Sequence, residues 1–129
     1  MTSKPTLLVV EDDDQIAYLM QFILEQDGYL VHRAGDGKAA LQIIAGMTAP
    51  PALVTLDINL PHVKGDELVL QIRSTPGWES VPVVMVTARA KDKDLPWAIK
   101  SGANAYLVKP FRPEELRETV RRLARKPAA

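Results

Sequence analysis

Along this chain, short unbroken apolar runs alternate with stretches in which apolar residues return every three or four positions. The first run, Thr6 to Val10, ends abruptly in Glu11-Asp12-Asp13-Asp14. Ile16, Leu19, Met20, Ile23 and Leu24 then recur at helical spacing, and Asp27-Gly28 supplies a stop. Asp13 or Asp14 is placed to cap that helix. Tyr29 to Arg33 is a brief, less apolar strand and so belongs nearer a sheet edge. Asp36-Gly37 opens a helix carrying Ala39, Ala40, Ile43 and Ile44, closed by Gly46 and the Pro50-Pro51 loop. Leu53 to Leu56 runs straight into Asp57, followed by Ile58-Asn59-Leu60-Pro61 and, after a loop, Gly65.

A helix from about Gly65 to Arg73 keeps Leu68, Val69 and Ile72 on one face, and Thr75-Pro76-Gly77 makes a turn. Val81 to Thr87 is the most strand-like run in the chain. Pro96 cannot sit in a helix interior, so the next helix is short, from near Asp94 to about Ser101, with Gly102 closing it. Ala105 to Val108 forms the last strand and leads into Lys109-Pro110. Pro113 opens the final helix, with Leu116, Val120, Leu123 and Ala124 inward and Glu118 paired to Arg122 outside. Five strands alternating with five helices predict an α/β fold around a mostly parallel sheet.

Composition narrows the class. At 129 residues the chain is long enough for one domain with a real core, and it is read as a single domain over 1–129 with its core at about 6–126. Sixteen basic residues balance sixteen acidic ones, so no global field draws it to nucleic acid or membrane. It has no cysteine, which excludes disulfides and thiolate metal sites and fits a reducing cytoplasm. The start, Met1-Thr2-Ser3-Lys4-Pro5, lacks the apolar stretch of a signal peptide, and no span reaches transmembrane length. His32 and His62 have no ligand partners at metal spacing and receive no role.

The chemistry gathers at the carboxyl ends of the strands, where open α/β sheets place their ligands. The first strand offers Glu11 and Asp12, the third Asp57, the fourth Thr87 and the fifth Lys109. A lone aspartate at a strand end is more often a turn cap than a site, so the convergence of the whole set carries the argument. Three carboxylates within about 5 Å repel by roughly 3 kcal/mol per pair at an effective dielectric near 20. A hard divalent cation relieves that repulsion, and Mg²⁺ suits oxygen ligands and phosphate chemistry. Lys109 adds a compact positive charge. An aspartate nucleophile, a metal, a cation and a hydroxyl donor make a kit for phosphoryl transfer.

The set resembles the receiver domains of two-component response regulators, the CheY-like family. The resemblance rests on Val9-Val10-Glu11-Asp12, on Asp57 with Pro61 and Gly65, on Thr87-Ala88, and on Tyr106-Leu107-Val108-Lys109-Pro110-Phe111. It covers Leu7 to about Lys126. It implies a doubly wound, flavodoxin-like five-stranded parallel sheet in the order 2-1-3-4-5. It implies that Asp57 accepts a phosphoryl group from a sensor histidine kinase or histidine phosphotransfer protein. Mg²⁺ would be held by Asp12 and Asp57, by the Asn59 backbone carbonyl, and by Glu11 through a water. Lys109 would contact the phosphoryl oxygens, with a cis bond to Pro110. Thr87 and Tyr106 would be the switch pair, with Asn59 and Arg89 flanking the site. The output surface would be the fourth helix, fifth strand and fifth helix, including Trp97, Tyr106, Arg117, Arg121 and Arg122. It would contact an output domain or target protein, or form a phosphorylation-dependent dimer, with no direct contact to nucleic acid.

Three other functions share parts of this pattern. An aspartate-nucleophile phosphatase usually carries a second Asp two residues after the nucleophile, where this chain has Asn59. Flavin binding on the same fold wants a glycine- or hydroxyl-rich loop after the first strand, where carboxylates here would repel phosphate. A degenerate receiver acting only as a binding module is disfavoured by the intact acidic set. The expectation is therefore a signalling switch that catalyses only its own phosphorylation and dephosphorylation.

Overall fold

The computed structural model describes residues 4–58, 60, 63, 65–88 and 102–124. In order they form β1 (Thr6–Val10), α1 (Asp14–Gln26), β2 (Leu30–Ala34), α2 (Gly37–Gly46), β3 (Leu53–Asp57), α3 (Gly65–Ser74), β4 (Val83–Thr87), β5 (Ala105–Val108) and α4 (Pro113–Leu123). All strand pairings are parallel, in the order β2-β1-β3-β4-β5 expected from the family resemblance. The helix predicted from Asp94 to Ser101, with Pro96 and Trp97, lies outside the described residues.

Successive side chains of a strand point to opposite faces of the sheet, and the two cores follow that alternation. Leu8, Val10, Val54, Leu56, Val83 and Met85 pack on one face with Ala40 and Ile44 of α2 and Leu68, Val69 and Ile72 of α3. Leu7, Val9, Leu53, Val84 and Val86 pack on the other with Met20, Ile23 and Leu24 of α1 and Leu116 and Val120 of α4. β3 and β4 are buried throughout because helices cover both faces. β2 alternates exposed and half-buried positions before Ala34, as an edge strand should.

Several boundaries differ from expectation, each for a hydrogen-bonding reason. β2 starts at Leu30, not Tyr29, because the Tyr29 amide still donates to Leu24 of α1 (3.2 Å). The Leu30 amide then opens the ladder by donating to Pro5 (2.9 Å). Gly28, at φ +93°, takes the left-handed turn that ends α1. β4 starts at Val83, not Val81, because the Val81 amide closes a turn onto Trp78 and Pro82 has no N–H. Of the two candidate caps, Asp13 holds α1, accepting from the Gln15 and Ile16 amides at 2.9 and 3.0 Å. Leu19, expected on the apolar face, is exposed, and Ala17 takes the buried position.

α4 also departs from its predicted pairing. Among the described residues its ion pair is Arg117 with Asp27 (3.6 Å), not Glu118 with Arg122. Arg117 Nη2 also donates to Gln26 Oε1 at 3.0 Å, so this arginine ties α4 to the end of α1. Arg121 and Arg122 remain exposed. Among the described residues, no helix is long and apolar enough to cross a membrane.

Candidate functional site

The parallel ladders continue just past the strands, and that continuation places the site. The Glu11 amide donates to Ala34 (3.0 Å), holding the residue after β1 in line with β2. The Lys109 amide donates to Thr87 (2.7 Å), holding the residue after β5 beside the end of β4. Asp57 is the last residue of β3, in register with Val86. Glu11, Asp57 and Thr87 are all buried, while Asp12 stays exposed. The start of α3 lies very close to the end of β3: a Cβ on Gly65 would lie 3.0 Å from Ile58 Cα and 3.1 Å from the Asp57 carbonyl oxygen. A larger residue there would push the backbone around Ile58 and Asp57 by a few tenths of an ångström.

At this edge, Glu11, Asp12 and Asp57 each bring a carboxylate oxygen within 4.8 Å of the others. Lys109 Nζ lies 2.6 Å from Glu11 Oε1 and 3.0 Å from Asp57 Oδ2. The ammonium thus bridges the two buried carboxylates. The other Glu11 oxygen, Oε2, accepts from the Asp13 amide at 3.1 Å. Glu11 and Asp57 thus share one ammonium, with the Asp12 carboxylate beside them. Burial pushes the Glu11 carboxyl from 4.5 up to about 7, with Asp57 raising it further and Lys109 and the Asp13 amide only partly opposing. Burial by itself pulls the Lys109 ammonium down, but its bonds to Glu11 and Asp57 outweigh that and hold it above 10.5.

This donor set fits a hard divalent cation. It consists of oxygens alone and gathers three carboxylates, two of them buried, within 4.8 Å of one another. The residues available to hold Mg²⁺ are Asp12 and Asp57, with Glu11 behind them. Asn59, expected to add its backbone carbonyl, lies outside the described residues, as does Arg89.

Of the strand-end residues predicted from sequence, Glu11, Asp12 and Asp57 come within 4.8 Å of one another and Lys109 contacts Glu11 and Asp57. Thr87 is buried at the end of β4, in register with Val108. Tyr106 pairs with Met85 two positions earlier and is half-buried against the α2–α3 core. The Lys109–Pro110 bond is cis, as the resemblance implied.

Sequence reasoning missed Arg33. From β2 its Nε and Nη2 donate to the Glu11 carbonyl at 3.1 and 2.9 Å, and Nη2 reaches the Asp12 carbonyl at 3.4 Å. Nη1 pairs with Asp14 at 2.9 Å. The signal was available, since reading the carboxyl ends of strands one, three, four and five leaves out the second.

Comparison with known proteins agrees with this geometry. Residues 7–121 match the family model described as the response regulator receiver domain. The DNA-binding response regulator MtrA of Mycolicibacterium smegmatis is 36% identical over 120 residues, 93% of this chain but 50% of MtrA. The chain thus spans about half the length of that relative. A putative response regulator from Chloroflexus aurantiacus superposes with a TM-score of 0.86 at 36% identity, covering 93% of this chain and 97% of that one. The receiver domain of the sensor histidine kinase PA1611 from Pseudomonas aeruginosa, solved with magnesium coordinated in its active-site cleft, gives a TM-score of 0.83. It is 28% identical, covering 93% of this chain and 97% of that one.

Proposed function

This chain belongs to the response regulator receiver domains, and from that membership we propose that it is a working phosphoacceptor rather than a passive member of the family. The observation that carries the reading is Asp57. Its carboxylate lies 3.0 Å from the Lys109 ammonium and within 4.8 Å of the Glu11 and Asp12 carboxylates, at the sheet edge where ligands bind.

In this reading an Asp57 Oδ attacks the phosphorus of a phosphohistidine on a sensor kinase or phosphotransfer protein. The new O–P bond forms as the N–P bond breaks, and the imidazole leaves after taking up a proton. Asp12, Asp57 and the Asn59 carbonyl would hold Mg²⁺, with Glu11 reaching it through a water, and the ion would supply charge neutralisation for the transferring oxygens. Lys109, already against Asp57, moves onto a phosphoryl oxygen. The Thr87 hydroxyl donates to another, and Tyr106 packs inward behind it.

The added group brings up to two negative charges and three acceptor oxygens. Moving a two-state protein from mostly off to mostly on takes about 5.5 kcal/mol of differential stabilisation. Charge-assisted bonds of roughly 1.5–3 kcal/mol each mean that Thr87 and Lys109 together come close to supplying it. The switched surface is β5, α4 and the helix predicted at 94–101, acting on an output domain, a target protein or a second copy. The protein catalyses only its own phosphorylation and dephosphorylation.

The test is to incubate the protein with acetyl phosphate and Mg²⁺ and measure its intact mass. A single phosphoryl adduct is expected, lost in Asp57→Ala and absent with excess EDTA. No adduct on the wild type, or an equal one on Asp57→Ala, overturns the reading.

A further inference from the structure

Arg33 makes four contacts to one short segment, and none of them is to a carboxylate of the acidic cluster itself. Its guanidinium donates to the backbone carbonyls of Glu11 and Asp12 and pairs with the Asp14 side chain. The Glu11 amide is meanwhile fixed by the Ala34 carbonyl, next to Arg33 on the same strand. Glu11 is therefore gripped on both sides of its own peptide units, N–H by β2's backbone and C=O by β2's arginine. The turn that follows sets where the Asp12 carboxylate points, and it is closed by the Asp13 amide donating to Glu11 Oε2.

We propose that Arg33 is a positioning residue for the divalent cation: its planar fork fixes the Glu11–Asp12 backbone so that the exposed Asp12 carboxylate is held facing Asp57 before the cation arrives. This rests on the reading of the acidic cluster as a Mg²⁺ site.

Two effects of the guanidinium act in opposite directions. Its positive charge near the cluster repels an incoming cation, while its grip on the two carbonyls removes freedom that binding would otherwise have to freeze out. Asp14 at 2.9 Å offsets part of the charge, whereas nothing else among the described contacts replaces the grip on the Glu11 carbonyl. The positioning effect therefore wins. Residues that orient metal ligands from behind typically change metal affinity by about 10- to 100-fold when replaced. The low end applies here because Arg33 acts through backbone. Lysine retains the charge but not the fork, since an ammonium cannot present coplanar donors to one carbonyl and a neighbouring carboxylate together.

The experiment compares wild type, Arg33→Lys and Arg33→Gln by calorimetric Mg²⁺ titration, with thermal melts confirming that each folds. Initial phosphorylation rates by acetyl phosphate are taken at low and saturating Mg²⁺. Both variants are expected to bind Mg²⁺ about tenfold more weakly, and to recover phosphorylation to within about threefold of wild type at saturating Mg²⁺. In the metal-free proteins, amide hydrogen exchange at Asp13 is expected to speed up in both variants. If the charge alone mattered, Arg33→Lys would match wild type and Arg33→Gln would bind more tightly, and either result overturns the proposal. Equal affinity in all three overturns it as well. A wild type that does not bind Mg²⁺ at all removes the reading of the site and this inference with it, so the two failures are told apart by the first titration.

Discussion

Replacing Glu11 with glutamine should stabilise the metal-free protein at neutral pH, although it deletes half of a buried ion pair. Breaking a buried pair ordinarily costs about 3–5 kcal/mol because the abandoned charge is left without a partner. Here Lys109 is not abandoned, since Asp57 Oδ2 remains 3.0 Å from its ammonium. The larger effect is on the carboxylate. Burial raises the Glu11 carboxyl from 4.5 to about 7. Between those pH values the folded protein keeps a proton that the unfolded chain has released, so stability falls as pH rises through that window. At about 1.36 kcal/mol per pH unit, the full rise corresponds to about 3 kcal/mol lost by pH 8. Glutamine, which cannot ionise, avoids the loss.

Urea denaturation in EDTA, followed by fluorescence of the two tryptophans, measures this between pH 4.5 and 8.5. That range stays below the Lys109 transition, so the lysine is charged in both folded and unfolded states. The difference between Glu11→Gln and wild type should be small at pH 4.5 and grow to roughly 1–3 kcal/mol in favour of the variant at pH 8. Mg²⁺ should reverse the order by stabilising the wild type through binding. A variant less stable than wild type by about 3–5 kcal/mol at pH 8 would show that the Lys109–Glu11 contact outweighs desolvation, and would refute the reasoning.

Other outcomes follow from single contacts. Arg73 donates to the carbonyls of Val81 (2.6 Å) and Gly102 (2.7 Å) and to Asn104 Oδ1 (2.9 Å), joining α3 to the entries of β4 and β5. Arg73→Met should cost roughly 2–4 kcal/mol in urea titrations, and a loss under about 1 kcal/mol would mean those carbonyls find water instead. Asp13→Ala removes the cap that accepts two amides of α1 and should cost about 1 kcal/mol by the same measurement. Gly65→Ala forces a Cβ against Ile58 and the Asp57 carbonyl, displacing the backbone beside Asp57. The acetyl phosphate rate should fall by up to about 100-fold while the protein still melts cooperatively, and an unchanged rate would show that the backbone adapts freely.

The linear pattern determined the fold class and most of the residues that gather at the candidate site. Alternating short apolar runs and helical repeats are local consequences of periods 2 and 3.6, so the strands and helices of the described residues were legible before any contact was known. Glu11, Asp12, Asp57 and Lys109 were legible for a related reason: in a parallel sheet, strand ends fall on one edge whatever the sequence distance between them. Element boundaries were less legible because they turn on single hydrogen bonds, such as the Tyr29 amide staying with Leu24 and Val81 closing onto Trp78.

What only the tertiary structure decided is how charge is shared. No sequence spacing says that one ammonium serves both Glu11 and Asp57, or that burial leaves Glu11 holding its proton to about pH 7. Nor could local pattern show that Arg33 grips the Glu11 and Asp12 carbonyls, or that Arg117 ties α4 to α1 rather than standing in a solvated row. Long cationic side chains take the partners that packing brings within reach, and their ionisation depends on water excluded by the whole fold. Those are properties of three-dimensional neighbours, which the order of residues along the chain does not contain locally.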